Sequence, residues 1–199
     1  MDEPMLRRLL RGDDPRVSAA FAAAVMQELH SARLMTLDEA CACTFASGIY
    51  ALYYADAEHA HYGPLDPDTP VYIGRAEPIT PNSNSRLAPR VQYLANAVRA
   101  AASTLKQECC RVRVVPLDAC FVWYSERTLI KHYRPLWNTV ITGIGNHAPG
   151  KGRIAQVQSA WDTLHPGRAW AAALPENPIL PSVMWSAVDA ALRRENGAP

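Results

Sequence analysis

The chain has 199 residues, of which 49% are hydrophobic, enough for one domain with a sizeable core and attached arms. Its net charge is only +1, and its N-terminal residues are charged where a signal peptide needs an apolar run, so we expect neither secretion nor membrane insertion. The five cysteines are odd in number and lack zinc-type spacing, which argues against a disulfide framework and favours reduced thiols in a cytoplasmic protein.

Two helices are predicted before the first strand. Residues 16–33 are rich in alanine and carry an apolar stripe in which successive members are four residues apart. The members of this stripe are Val17, Phe21, Val25 and Leu29. The segment Thr36-Leu-Asp-Glu39 has the spacing of a capping box, so it predicts the start of a short second helix.

Two runs rich in aromatic and β-branched residues predict strands at Gly48–Tyr54 and Val71–Gly74. The segment between them, Asp56–Thr69, is dense in Asp, Pro, Gly and His and predicts a loop. A hairpin of these strands would bring together Tyr50 and Tyr72, which are 22 residues apart. The alternative is that each tyrosine is an ordinary core or interface residue.

The rest of the chain continues as an alternation of helices, one strand and loops. In chain order we predict a loop at 78–89, a helix at about 89–107, a strand at 111–115, a helix at 123–133, a basic loop at 143–153, a loop at 162–168 and a helix at 181–194. The middle of the chain therefore has the order β-β-α-β-α. This order predicts an α+β fold, a small three-stranded antiparallel sheet flanked by helices, with helical N- and C-terminal extensions.

Charge is unevenly distributed along the chain. Residues 1–77 carry twelve acidic and six basic side chains, whereas residues 78–153 carry three acidic and eleven basic ones. The alternative to a functional reading is an ordinary solvated surface, but residues 127–153 include five basic side chains and no acidic one. A basic middle third indicates a region that binds polyanions, so we expect nucleic acid to contact it.

The strings Gly48-Ile-Tyr50 and Tyr72-Ile-Gly74, in this order at the start of a β-β-α-β-α pattern, resemble the signature of the GIY-YIG nucleases. The resemblance covers about residues 46–140 and continues more weakly to about residue 170. It implies an enzyme that cuts DNA with tyrosines, an arginine and a metal-bound glutamate. It also implies three regions: an N-terminal helical arm (1–45), a nuclease core (46–140), and a DNA-contacting loop with a C-terminal helical extension (141–199).

By this resemblance Tyr50 would take the proton of the attacking water or position that water, and Tyr72 would hydrogen-bond the water or the phosphate. A phenol titrates at about 10, so the proton-accepting role needs nearby positive charge to lower its pKa. Arg90 matches the family's arginine, whose guanidinium would contact the scissile phosphate. Arg86 and Arg99 are rivals for that position, and a role in positioning phosphate or a solvated side chain is the alternative.

Glu126 is the only acidic residue between Asp118 and Asp162, and basic side chains surround it in the sequence. A lone carboxylate in a region that attracts phosphate is suited to hold a hard cation, and the resemblance gives Glu126 that role. The alternative is a salt bridge to Arg127 or Lys131.

Asn138 lies 12 residues after the glutamate, a spacing found in the restriction-enzyme branch of the family, where it would orient a catalytic group or backbone by hydrogen bonds. The glycine-rich segment 143–153 and the segment 161–168 resemble the GIY-YIG type II restriction endonucleases specifically. Glycines allow the backbone to approach a duplex closely, and four polar side chains of the loop can reach bases or phosphates. These candidate DNA contacts are Asn146, His147, Lys151 and Arg153.

One position departs from the pattern of that branch. A histidine usually lies four residues after the arginine, but the residue four after Arg90 is Leu94, which fits the apolar stripe of its helix. Three explanations stay open: a shifted helix register, another group in the histidine's place, with His132 and Lys131 as candidates, or loss of activity.

The sequence therefore predicts a Mg²⁺-dependent type II restriction endonuclease, in which Mn²⁺ substitutes for Mg²⁺, acting on double-stranded DNA. The resemblance implies a short GC-rich palindrome as target, a homodimer, and functional pairing with a cognate DNA methyltransferase. Its dimer interface would involve the N-terminal helix or the C-terminal region. The alternatives are a structure-specific GIY-YIG repair or recombination nuclease, and a DNA-binding protein whose nuclease site has decayed.

Overall fold

A small antiparallel sheet forms the centre of the molecule, whose computed structural model describes residues 15–77, 87–149 and 156–195. Strand β1 (Gly48–Tyr54) lies between β2 (Tyr72–Ala76) and β3 (Cys110–Pro116) and pairs antiparallel with both. All seven residues of β1 are buried, because this apolar and aromatic run is covered on both faces of the sheet. The predicted α+β fold with three antiparallel strands is confirmed.

Helices precede, separate and follow the strands. They are α1 (Pro15–Ser31), α2 (Leu37–Cys41), α3 (Leu87–Ala100), α4 (Ala119–Tyr133), α5 (Leu136–Thr139), α6 (Ala160–Leu164), α7 (Ala169–Ala172) and α8 (Pro181–Glu195), with a 3₁₀ turn at Gln107–Cys109. Within the described ranges, no helix is long and apolar enough to cross a membrane.

Two helix starts are determined by side-chain caps. At α2 the Thr36 hydroxyl accepts from the Glu39 N–H (3.2 Å), and the Glu39 carboxylate accepts from the Thr36 N–H (2.8 Å), which confirms the predicted capping box. Helix α4 begins at Ala119, earlier than the predicted residue 123, because the Asp118 carboxylate accepts from the Cys120 N–H (3.0 Å).

Helix α3 ends at Ala100, well before residue 107, where helical periodicity placed its end. Gly167, with a φ of +146°, lies so close to the Ala100 carbonyl that a Cβ at this position would overlap it. After Ala100 the chain turns, and the Thr104 hydroxyl donates to the Ala101 carbonyl (3.1 Å). A contact 67 residues away along the chain is therefore part of this helix end, which explains why the local pattern missed it.

The predicted loop at 162–168 is wrong in its first half. Helix α6 covers Ala160–Leu164, and Ser159 caps it by accepting from the Asp162 N–H (3.2 Å). The serine is a helix-start signal that the glycine and proline at the end of this segment obscured.

The sheet separates two hydrophobic cores. Alternation along β1 directs Tyr50, Leu52 and Tyr54 to one core, where they meet α3, α5 and α8. Ile49, Ala51 and Tyr53 face the other core, built with α1 and α4. Tyr50 is therefore fixed on the side of the sheet that α3 covers, and this placement positions the site described next.

Candidate active site

A cleft of about 450 Å³ opens where the sheet, α3, α4 and the loop after α5 converge. Its lining residues are Tyr50, Tyr72, Arg75, Glu77, Arg90, Tyr93, Leu94, Glu126 and Gly145. Four of the five predicted catalytic residues thus line one cavity, although they come from four different elements.

The two signature tyrosines are neighbours across the β1–β2 pair. Tyr50 lies opposite Gly74 and Tyr72 lies opposite Leu52, which places the two rings 6.3 Å apart between centroids. A Cβ at Gly74 would lie 2.5 Å from Cζ of Tyr50, so the Tyr50 ring occupies the space of the missing side chain. Gly74, in the second signature string, therefore leaves room for the ring of Tyr50, in the first.

Burial keeps both phenols protonated. Desolvation, followed by the neighbouring Tyr72, raises the pKa of Tyr50 well above its ordinary value, and Arg90 offsets only part of that shift. Burial and then the Glu126 charge raise the pKa of Tyr72 to about 12. These shifts are opposite to the one that a proton-accepting tyrosine needs at neutral pH, so the hydroxyls are suited to orient a water molecule by hydrogen bonds.

Glu126 projects from α4 into the cleft and forms an ion pair with Arg75 of β2, with 3.2 Å between Oε2 and Nη1. The partners considered from the sequence, Arg127 and Lys131, do not take this place, and the Arg127 guanidinium lies over the Trp123 ring instead, 5.3 Å from its centroid. Burial raises the pKa of Glu126, and Arg75 opposes this shift.

Arg90 is the predicted arginine that faces the cleft. Its Nη1 donates to Nε2 of His147 (3.0 Å), a loop residue that also lies against the Tyr93 ring. The rival Arg99 forms an ion pair with Asp38 on α2, away from the tyrosines. The other rival, residue 86, lies outside the described residues.

Asn138 on α5 does not line the cleft but holds the strand that does. Its Oδ1 accepts from the Ile73 N–H (2.8 Å), and its Nδ2 donates to the Ile73 carbonyl (2.9 Å). Ile73 lies between Tyr72 and Gly74 on β2, an edge strand of the sheet, and Asn138 pairs both of its outward backbone groups. The side chain thus orients backbone, the kind of role that the sequence suggested.

Leu94, in the position of the expected histidine, contacts both the hydrophobic core and the cleft. It is only 2% exposed and belongs to the α3 core, yet it also lines the cleft. The two groups proposed to replace the histidine, Lys131 and His132, are exposed on the last turn of α4 and are not among the lining residues. The imidazole that contacts a cleft side chain is that of His147.

A buried arginine fixes the loop beside the cleft. Arg168 is 7% exposed, and its guanidinium donates to the carbonyls of Gly143 (2.9 Å), Ile144 (3.0 Å) and Asn146 (3.0 Å). Asp162 neutralises it, accepting from Nε at 2.7 Å. The same loop brings its glycine at position 145 so close to Tyr72 that a Cβ there would lie 2.8 Å from the phenol oxygen.

The candidate DNA contacts separate into two groups. Asn146 and His147 lie on this anchored loop next to the cleft, whereas Lys151 and Arg153 fall outside the described residues.

Three lining residues were missed by sequence reasoning. Tyr93 follows Arg90 by three positions on a helix, a spacing that places both on one face, so this residue could have been found. Arg75 and Glu77 follow the second signature string directly, but Arg75 is 51 residues from Glu126, and no local pattern predicts their ion pair.

The cleft suits a cation that takes few protein ligands. Among the described residues, no group of three or more His, Cys, Asp or Glu side chains is arranged to hold a metal ion. Glu126 offers carboxylate oxygens, and water and phosphate oxygens can complete the coordination, as is usual for Mg²⁺. The donor set therefore fits a hard divalent ion.

The sequence profile of one family, described as the Eco29kI GIY-YIG domain, matches residues 43–192. This match begins before β1, ends within α8 and includes every residue that lines the cleft. No curated protein matches the chain.

Proposed function

The chain belongs to the Eco29kI GIY-YIG family of type II restriction endonucleases and is thus a site-specific deoxyribonuclease, and we propose that it cuts both strands of double-stranded DNA at a short GC-rich palindrome with Mg²⁺ as its cofactor. The observation that carries this proposal is the convergence of Tyr50, Tyr72, Arg90 and Glu126 in one cleft. Mn²⁺ substitutes for Mg²⁺, since both accept oxygen ligands.

In this proposal each of the cleft residues has its own role in phosphodiester hydrolysis. The oxygen of a water molecule attacks phosphorus and the bond to the 3′ oxygen breaks; the water loses one proton to the surrounding solvent, and the leaving 3′ oxygen takes one up from it, so that protons balance over the reaction. Arg90 binds the non-bridging oxygens and stabilises the charge that they gain as phosphorus becomes five-coordinate. Tyr50 and Tyr72, both protonated, orient the water, and Glu126 holds the divalent ion. A bound ion would supply positive charge that stabilises the transition state.

We assign the protein a two-fold symmetric homodimer, because two identical sites cut both strands of a palindrome most simply. The interface uses α1 or the C-terminal region. A cognate DNA methyltransferase protects the same palindrome in this proposal. The basic residues Lys151 and Arg153 contact DNA together with Asn146 and His147.

Digestion of a mixed set of plasmids with Mg²⁺ tests the proposal, with the metal-free protein in chelator as reference. We expect discrete fragments from the wild type and no cleavage by Glu126→Gln, which keeps the shape of the side chain but removes a metal ligand. The matched control is Glu176→Gln, which neutralises an exposed acid outside the cleft and leaves cleavage unchanged.

DNA binding by the Glu126→Gln protein is measured in parallel and should stay as tight as that of the wild type or become tighter, because a negative charge facing phosphate is removed. Full activity of Glu126→Gln would contradict the metal assignment. Cutting of junctions or flaps without discrete fragments would indicate a structure-specific repair nuclease, and binding without any cutting would indicate a decayed site.

A further inference from the structure

In the cleft, one arginine contacts two carboxylates. Arg75 Nη1 lies 3.2 Å from Oε2 of Glu126, and its Nε lies 3.4 Å from Oε1 of Glu77. All three side chains line the cleft. The guanidinium is therefore shared between the proposed metal ligand and a second acid.

The two carboxylates differ in their access to water. The Glu126 side chain is 21% exposed and that of Glu77 is 39% exposed, so Glu126 has lost more hydration and depends more on a counter-ion. Arg75 forms the ion pair with Glu126, whereas the guanidinium of Arg90 contacts His147. Arg75 is thus the cation to which Glu126 responds.

We propose that Arg75 is a built-in counter-ion that competes with the divalent cation for Glu126, and that Glu77 retains the guanidinium when the cation binds. This inference rests on the proposed function, because it takes Glu126 as the ligand of the cation. It makes Arg75 a positioning residue, since it acts on the reaction through Glu126.

Displacement follows from the charges and distances. Mg²⁺ holds its oxygen ligands at about 2.0–2.1 Å, so a dication on Glu126 would lie close to a guanidinium that is 3.2 Å from the same carboxylate, and the two would repel. Glu77 already pairs with Arg75, so the arginine keeps one carboxylate partner when it leaves Glu126.

The experiment measures Mn²⁺ binding without DNA, by the electron paramagnetic resonance signal of the free ion, at one salt concentration. We expect Glu126→Gln to lose the site, and Arg75→Gln to bind Mn²⁺ about two- to fivefold more tightly than the wild type, a gain that matches the worth of a partly exposed ion pair. Arg75→Lys restores the charge and should return the affinity toward the wild-type value.

The matched control is Arg90→Gln. It removes the same charge from the same cleft, but Arg90 contacts His147 and no carboxylate of this cluster. We expect its change in Mn²⁺ affinity to be below about twofold, because separated charges are screened by water and salt. Equal gains in the Arg75→Gln and Arg90→Gln proteins would overturn the inference, since general electrostatics would then explain both.

If Arg75 only oriented Glu126 for the metal, the change in Mn²⁺ affinity on Arg75→Gln would have the opposite sign. In that case Arg75→Gln would weaken Mn²⁺ binding, and this result, or unchanged affinity, would overturn the inference while Glu126→Gln still shows the site to be real. If Glu126→Gln binds Mn²⁺ like the wild type, the metal assignment of the proposed function fails first and the inference falls with it.

Glu77 provides an independent check. If it acts by holding the displaced guanidinium, Glu77→Gln weakens Mn²⁺ binding in the wild-type background and has a much smaller effect in the Arg75→Gln background. A full effect of Glu77→Gln in both backgrounds would show that Glu77 is itself a metal ligand and would overturn its assigned role.

Discussion

Gly74→Ala should slow cleavage strongly, because the added methyl group would displace the ring of Tyr50. The added Cβ would lie 2.5 Å from Cζ of Tyr50 and 2.6 Å from its hydroxyl oxygen, whereas carbon atoms in contact are about 3.5 Å apart or more. The ring of Tyr50, which is 5% exposed and closely packed, must therefore retreat by about 1 Å. A displacement of that size at a reacting centre costs about a hundredfold in rate, and overpacking costs about 1–3 kcal/mol of stability.

The assay pairs single-turnover cleavage at saturating protein with urea unfolding of the same samples. Gly63→Ala is the control. Its added Cβ would also be too close to a neighbouring atom, 2.9 Å from the Ala57 carbonyl oxygen, but Gly63 lies in a loop outside the cleft. We expect Gly63→Ala to lose stability and keep its rate. A Gly74→Ala protein that cleaves within about threefold of the wild type would refute the idea that this glycine positions Tyr50.

Three further predictions concern single side chains. Tyr50→Phe should lower the single-turnover rate by about a hundredfold or more with little change in DNA affinity, and near-normal turnover with reduced stability would instead indicate a core role. Leu94→His should lower the free energy of unfolding by about 1–3 kcal/mol, because an imidazole replaces a side chain that is 2% exposed; unchanged stability with raised activity would show that the imidazole reaches the cleft. Asn138→Asp should cost about 2–3 kcal/mol at neutral pH, because a carboxylate oxygen replaces the amide that donates to the Ile73 carbonyl. The facing carbonyl raises the pKa of the new carboxyl, so the loss should shrink as the pH falls toward about 4 and be smallest below it, where the protonated carboxyl donates again.

The parts of the structure that depend on nearby residues could be predicted from the sequence. The two tyrosine strings and the Thr36 capping box each span three or four residues, and each led to the correct element. The apolar stripe that includes Leu94 predicted its helix but not where that helix ends. The resemblance then brought Tyr50 and Tyr72 to one site, and the division into an arm, a core and an extension stays a prediction.

The parts that depend on distant residues could not be predicted. The register that sets Tyr50 against Gly74 is a property of the paired strands, and the Arg75–Glu126 ion pair joins two elements far apart in the chain. The direction of the Tyr50 pKa shift depends on burial, which follows from the packing of α3 on the sheet. A residue's chemistry was therefore easier to predict than its electrostatic environment.

The anchoring of the loop by Arg168 has a consequence for how specificity evolves. The Thr142 carbonyl accepts a hydrogen bond from the Trp161 N–H (3.1 Å), and Arg168 holds the carbonyl of Asn146, so the start of the loop is fixed against α6 and Arg168. If this loop contacts DNA as proposed, substitutions beyond His147, whose ring contacts Arg90 and Tyr93, would change the DNA contacts while Arg168 keeps the start of the loop in place beside the cleft. Target choice and bond cleavage would then depend on separate residues, and exchange of those loop positions between relatives would give new cutting specificities without changes to the residues that carry out the chemistry.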